Sequence, residues 1–342
     1  MRKFIQSNFF LILLGLACFI VFFVNVKINV FRYNNLDFGK FDLGNMVQML
    51  WNTEHGRFMY LTDYFGTNLP RWAMSHVDPI LVIFLPFFIV APHALTLVFA
   101  QVLLVLLSSF IIYKLAELEL NSKFAAFLLA LTFLFYPAVG FLTAWTGFHG
   151  VTAVIPFFLG AFYVYEVMYK SKSYTKNKKI LFWVLIVLTL MGKEQLSLYI
   201  FLYGIFVFFL RQDKKIGTAL TILGVVWFIA AFLIIIPYFA HYRIEGFQKF
   251  ETSLGLDTTV VKDVENSNYF LSRYEAFGNS YFEILFNMIT HPSKTVAVFF
   301  GGDQLNNLRQ TFEPLGYLPL AFPPLLIIAL PDFMANYLTT AG

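Results

Sequence analysis

A few titratable residues interrupt an otherwise apolar chain, and their types suit proton transfer and anion binding. Asp42 lies in Phe41-Asp42-Leu43-Gly44. There a carboxylate can take the proton of an attacking hydroxyl or amine, or cap a helix carrying Leu43, Met46, Val47 and Leu50. His76 and Asp78 flank one residue in Ser75-His76-Val77-Asp78-Pro79. With Asp42 and His149 they supply mixed N/O ligands for a divalent cation, Mg or Mn as cofactor, or Zn. Asp78 before Pro79 is equally good helix-start chemistry.

His149 sits in the aromatic turn Trp145-Thr146-Gly147-Phe148-His149-Gly150, suited to a phosphate or to a loop carbonyl. Lys193-Glu194 interrupts an apolar hairpin. The lysine either snorkels at an interface or grips a lipid phosphate while Glu194 orients it. Arg243 follows a long apolar run and offers paired donors to phosphate, as do Arg273 and Arg309. Asp37 reads as a solvated loop acid. No P-loop, dinucleotide fingerprint or G-x-S-x-G motif is present, so soluble nucleotide chemistry is not supported.

The elements that must hold these groups are set by composition. The 342 residues are 59% hydrophobic and 13% charged, with a mean hydropathy of +0.70. A soluble domain of this length needs a more charged surface, so the fold class is all-α, a polytopic transmembrane helical bundle. Ten-residue alternation is missing, which argues against a membrane β-barrel. The formal charge of +4 is concentrated between apolar segments and predicts no nucleic-acid partner. Cys18, the only cysteine, forms no intrachain disulfide and reads as a buried helix residue.

Arg2 and Lys3 before the apolar run put the N-terminus in the cytoplasm, with a first span over Asn8 to Val26. Residues 27–78 then form a first external loop with interfacial helices, and Pro79 to Val90 is too short to span. Spans follow over His93–Leu115, Phe124–Phe141 and Val151–Tyr169. A hairpin of Ile180–Leu190 and Leu196–Leu210 comes next, then a span over Gly217–Phe239. The lysines between 170 and 179 and the bases between 211 and 215 mark cytoplasmic loops. Residues 241–309 form a second external region, and the Pro-rich stretch from Glu313 is one kinked span or a broken pair. The chain reads as one membrane domain, residues 1–342, whose uncharged end suggests a truncated C-terminus. Each unexplained polar group falls on the outer face, whereas a transporter more often places such groups at the bilayer midplane.

Phe41-Asp42-Leu43-Gly44 with Gln48 and Trp51, His76-x-x-Pro79, Pro86, Pro92 and Gln101 together resemble an uncharacterised bacterial and archaeal membrane family. Phe148-His149, Lys193-Glu194 and the stretch from Pro314 to Leu320 continue the likeness over nearly the whole chain. That family is a domain of unknown function related to the GT-C glycosyltransferases. The resemblance implies a GT-C-like bundle in the bacterial or archaeal cell membrane. It also implies a polyprenyl-phosphate-linked sugar donor and catalysis on the outer face, with Asp42 as the essential acid of the first external loop. His149 stands where the superfamily often has a second acid, and Gly150-Val151 replaces a Pro and an acid found after it in many members. His76, Asp78, His149, Lys193, Glu194 and Arg243 are then expected to hold the phosphate, among membrane lipids. A flippase or transporter for a lipid-linked substrate and a non-catalytic assembly subunit are the alternatives.

Overall fold

A computed structural model describes residues 2–38, 41–63, 66–254 and 269–339. Apart from two three-residue strands, Tyr60–Thr62 and Asn68–Pro70, the regular structure described is helical. Among the described residues, four helices are long and apolar enough to cross a membrane: Asn8–Asn34, Ala94–Leu120, Gly150–Ser171 and Lys214–Leu254. A fifth span arises if Lys123–Leu134 and Pro137–Ala144, bent by 50° at their break, count as one. The chain is thus an all-α polytopic bundle.

Two compact units divide the chain. The first holds residues 1–62 and 78–193, the second 63–77 and 194–342. In the first unit, α1 (Arg2–Asn34), α4 (Ala94–Leu120) and α5 (Lys123–Leu134) pack around Leu14, Cys18, Val102, Leu106 and Ala130. Cys18 is buried as expected, with Sγ 3.2 Å from Ser109 Oγ. Further along are α2 (Phe41–Glu54), α3 (Leu85–Val90), α6 (Pro137–Ala144), α7 (Val154–Ser171) and α8 (Lys176–Leu190).

Helix α1 outruns the span expected for it. Lys27 to Asn34, assigned from sequence to the first external loop, are its last two turns. They stay helical because their polar side chains are satisfied inside the unit. Asn29 is fully buried and donates to the carbonyls of Asn25 and Thr143, each at 2.8 Å. Arg32 donates through Nη1 to the carbonyls of Ala144 (2.6 Å) and Trp145 (2.7 Å), capping the end of α6. Its Nε meets Asp37 at 2.9 Å, so Asp37 is exposed but paired, not a free loop acid.

The second unit is built on α9 (Leu196–Leu210) against α10 (Lys214–Phe228). Glycines let the two backbones touch. A Cβ on Gly217 would lie 2.6 Å from the Phe208 nitrogen, and one on Gly224 2.6 Å from that of Phe201. Close packing through small residues is the usual device where lipid removes the hydrophobic drive for helix pairing. A π-helical stretch, Ile229–Ile235, joins α10 to α11 (Ile236–Leu254). Residues 241–254, expected to open the second external region, therefore continue this helix. Among the described residues, no helix in the Pro-rich end is long enough to cross a membrane. That end breaks into short helical pieces from Glu313–Leu315 to Leu330–Tyr337, all but Ile327–Ala329 having a proline at the first or second position.

Candidate functional site

Around Ser75–Val77 the second unit places a buried carboxylate against a histidine. Glu194 is 5% exposed. Its Oε1 lies 3.3 Å from His76 Nδ1, and its Oε2 accepts the Val77 N–H at 2.9 Å. The His76 side chain is 19% exposed, so its ring is largely enclosed but reachable. A carboxylate on Nδ1 fixes the tautomer and tilt of an imidazole.

Local structure explains why His76 is presented this way. The 3₁₀ turn Arg71–Met74 closes on Ser75, which adopts φ +60° and redirects the chain. Arg243 on α11 holds that turn: Nη1 donates to Ser75 Oγ at 2.7 Å and to the Ala73 carbonyl at 3.3 Å. The guanidinium is buried, so its contacts here serve the protein interior. Gly246, nearly one turn beyond, lets α11 lie close to the preceding loop, since a Cβ there would come 2.8 Å from Thr67 Oγ1. In the first turn of α9, Ser197 Oγ donates to the Glu194 carbonyl at 2.7 Å and anchors the acid.

Apolar and aromatic groups wall the pair. Val77, Ala231 and Ile236 form a buried cluster with Trp72, Trp227 and Phe232 packed on it. Tyr281 meets Phe232 edge-on at 5.5 Å. Burial, and next the charge of Glu194, push the Tyr281 phenol upward, so it remains a neutral donor across the physiological range. Tyr281 Oη and Trp227 Nε1 are both buried and have no hydrogen-bond acceptor among the described residues.

Asp42, Asp78, His149 and Lys193 belong to the first unit, whereas Arg273 and Arg309, the latter 3.0 Å from Glu313, belong to the second. Asp78 is buried at the start of the 3₁₀ turn Pro79–Phe84 and makes no side-chain capping bond there. The Ile80 N–H donates to the Met191 carbonyl at 2.9 Å, bringing the Lys193 segment beside this turn. The His149 turn joins them. Gly150 accommodates Leu81, which a Cβ would meet at 2.2 Å, and Phe148 packs edge-on to Phe84 at 5.0 Å. Gln101, fully buried, pins this turn: it donates to the carbonyls of Leu142 and Gly147 and accepts from the His149 N–H at 2.7 Å.

Asp78, His149 and Lys193 are thus carried by neighbouring segments of the first unit, while His76, Glu194 and Arg243 share the second. Asp42 is exposed and, among the described residues, makes no hydrogen bond or ion pair. It does not sit at the N-cap expected for it. The helix begins at Phe41, placing Asp42 inside the first turn, where its charge still complements the helix dipole. Among the described residues no three of His, Cys, Asp and Glu converge as a metal-binding group.

Residues 32–342 match the model of a family described as "Predicted membrane protein (DUF2079)". The chain belongs to this family. Neither a curated protein nor a solved structure matches it. Membership of the family agrees with the apolar spans in making the chain an integral membrane protein. Sequence reasoning assigned no structural role to Arg32, Gln101, Trp227 or Tyr281, although Gln101 carried part of the family likeness. By residue type the first two were visible only as a base and an amide near apolar runs, the last two only as aromatics among many.

Proposed function

We propose that the protein is a membrane glycosyltransferase that moves a sugar from a polyprenyl-phosphate carrier to an envelope acceptor. The observation that carries this reading is the His76–Glu194 pair, a carboxylate-oriented imidazole in a chain made for lipid. In this scheme His76 takes the proton of the acceptor hydroxyl as its oxygen bonds to the anomeric carbon. The carbon–oxygen bond to the carrier breaks, and polyprenyl phosphate leaves with the bonding pair. Glu194 stabilises the imidazolium that forms, and Arg243 positions the turn bearing His76. The aromatic wall and the two unanswered donors, Tyr281 Oη and Trp227 Nε1, suit a hydroxyl-rich ring better than an ion.

Asp42, the acid designated by the GT-C resemblance, is the competing base, and the two are separable in one assay. The protein is reconstituted in nanodiscs with radiolabelled polyprenyl-phosphate glucose or mannose and a membrane lipid extract. Glu194→Gln is expected to lower transfer by about 10²–10⁴-fold, and Asp42→Asn by much less. The reverse ranking would return the base to Asp42, and no transfer by the unaltered protein from either donor would remove this reading for those sugars.

A further inference from the structure

We infer that the N-terminal half of α8 is a binding site for an anionic phospholipid of the surrounding membrane. Lys176, Lys179, Ile180, Trp183 and Val184 line a shallow groove of about 580 Å³. Lys176, Ile180 and Val184 are spaced four residues apart, so they share one face of the helix, with Lys179 and Trp183 beside them. The face changes character along its length. It starts with two ammonium groups and continues over Ile180, the Trp183 indole, Val184 and Val187, the three aliphatic residues being about half exposed.

That order matches an amphiphile with a phosphate at one end and an acyl chain along the other. An indole one turn beyond the ammonium groups is a usual headgroup-level residue.

The charges that would compete for the groove are already engaged or absent. Lys170 is bound to Glu119 at 2.8 Å and Lys172 lies over the Tyr169 ring at 4.3 Å. Lys178 donates to the Ser173 carbonyl at 3.4 Å. The Lys176 side chain has neither a hydrogen bond nor an ion pair among the described residues, and that of Lys179 has only the Tyr174 ring, 6.0 Å away. Residues 170–183 contain no acid. Two cations without a counter-ion at the head of an apolar, exposed stripe are complementary to a phosphodiester monoanion. A zwitterionic choline headgroup would bring a second cation to them.

Native mass spectrometry of the detergent-purified full chain tests this, with phosphatidylglycerol and phosphatidylcholine of identical acyl chains. Phosphatidylglycerol is expected to remain bound where phosphatidylcholine does not. Its affinity should fall about fivefold with Lys176→Gln or Lys179→Gln and about 30-fold with both. Lys178→Gln, outside the groove, should leave binding within twofold. Equal retention of the two lipids would overturn the inference, as would unchanged binding by the double variant or an equal loss with Lys178→Gln. Polyprenyl phosphate binding tenfold more tightly, with the same lysine dependence, would reassign the groove to the carrier. All three positions lie at the start of α8, so an unchanged elution profile confirms that the variants fold.

Discussion

Two residues separated by 118 positions carry the proposed chemistry, and the energetics of their pairing make it testable. Glu194 is buried, so removing His76 strands a carboxylate that still accepts the Val77 N–H. Groups acting as one unit lose their function together. The double variant His76→Ala/Glu194→Gln is therefore expected to be no slower than the worse single variant, within about threefold, in initial-rate assays. Tyr281→Phe keeps the ring packing on Phe232 and removes only a buried donor. Stability in detergent melting should rise slightly or stay level, because an unanswered donor is lost, while donor KM rises. Sequence exposed His76, Glu194 and Arg243 because each breaks an apolar run. Their partners stayed hidden because a contact across more than a hundred residues has no spacing signature, and because Trp227 and Tyr281 look like interface aromatics.

Helix boundaries carry the next layer. Periodicity and hydropathy placed α4, α7 and α9 within a few residues of where they lie, since lipid-facing helices announce themselves by apolar length. The same rule ended α1 too early, because Lys27 to Asn34 are polar yet helical, satisfied by Thr143, Ala144 and Trp145 on α6 and the turn after it. It also missed that the π stretch carries the helix on to Leu254, since hydropathy falls while hydrogen bonding continues. Packing at this scale is set by glycines. Gly217→Ala and Gly224→Ala should each destabilise the α9–α10 pair by about 1–3 kcal/mol, read as a lower melting temperature in detergent. Gly246→Val should instead act on the site. By pushing α11 off Thr67 it draws Arg243 from Ser75, lowering kcat more than it lowers melting temperature. Equal losses in both would assign Gly246 a packing role only.

For the whole molecule, an integral membrane protein of this family follows from its apolar spans and the family match, and its sidedness is a prediction. Cys18 is the only cysteine, so Cys18→Ser supplies a background for single-cysteine mapping. An impermeant maleimide added to intact cells should label Glu54→Cys and spare Lys178→Cys, as the positive-inside rule requires of the lysine loop. Labelling of Lys178→Cys alone would invert the bundle and put His76 in the cytoplasm. The proposed role of the His76–Glu194 pair is tested most directly by the rate of sugar transfer from polyprenyl-phosphate glucose or mannose in nanodiscs, with Glu194 intact and as Glu194→Gln. A loss of about 10²–10⁴-fold in a protein that elutes and melts like the original is the predicted result. Transfer that continues at the original rate would contradict the claim.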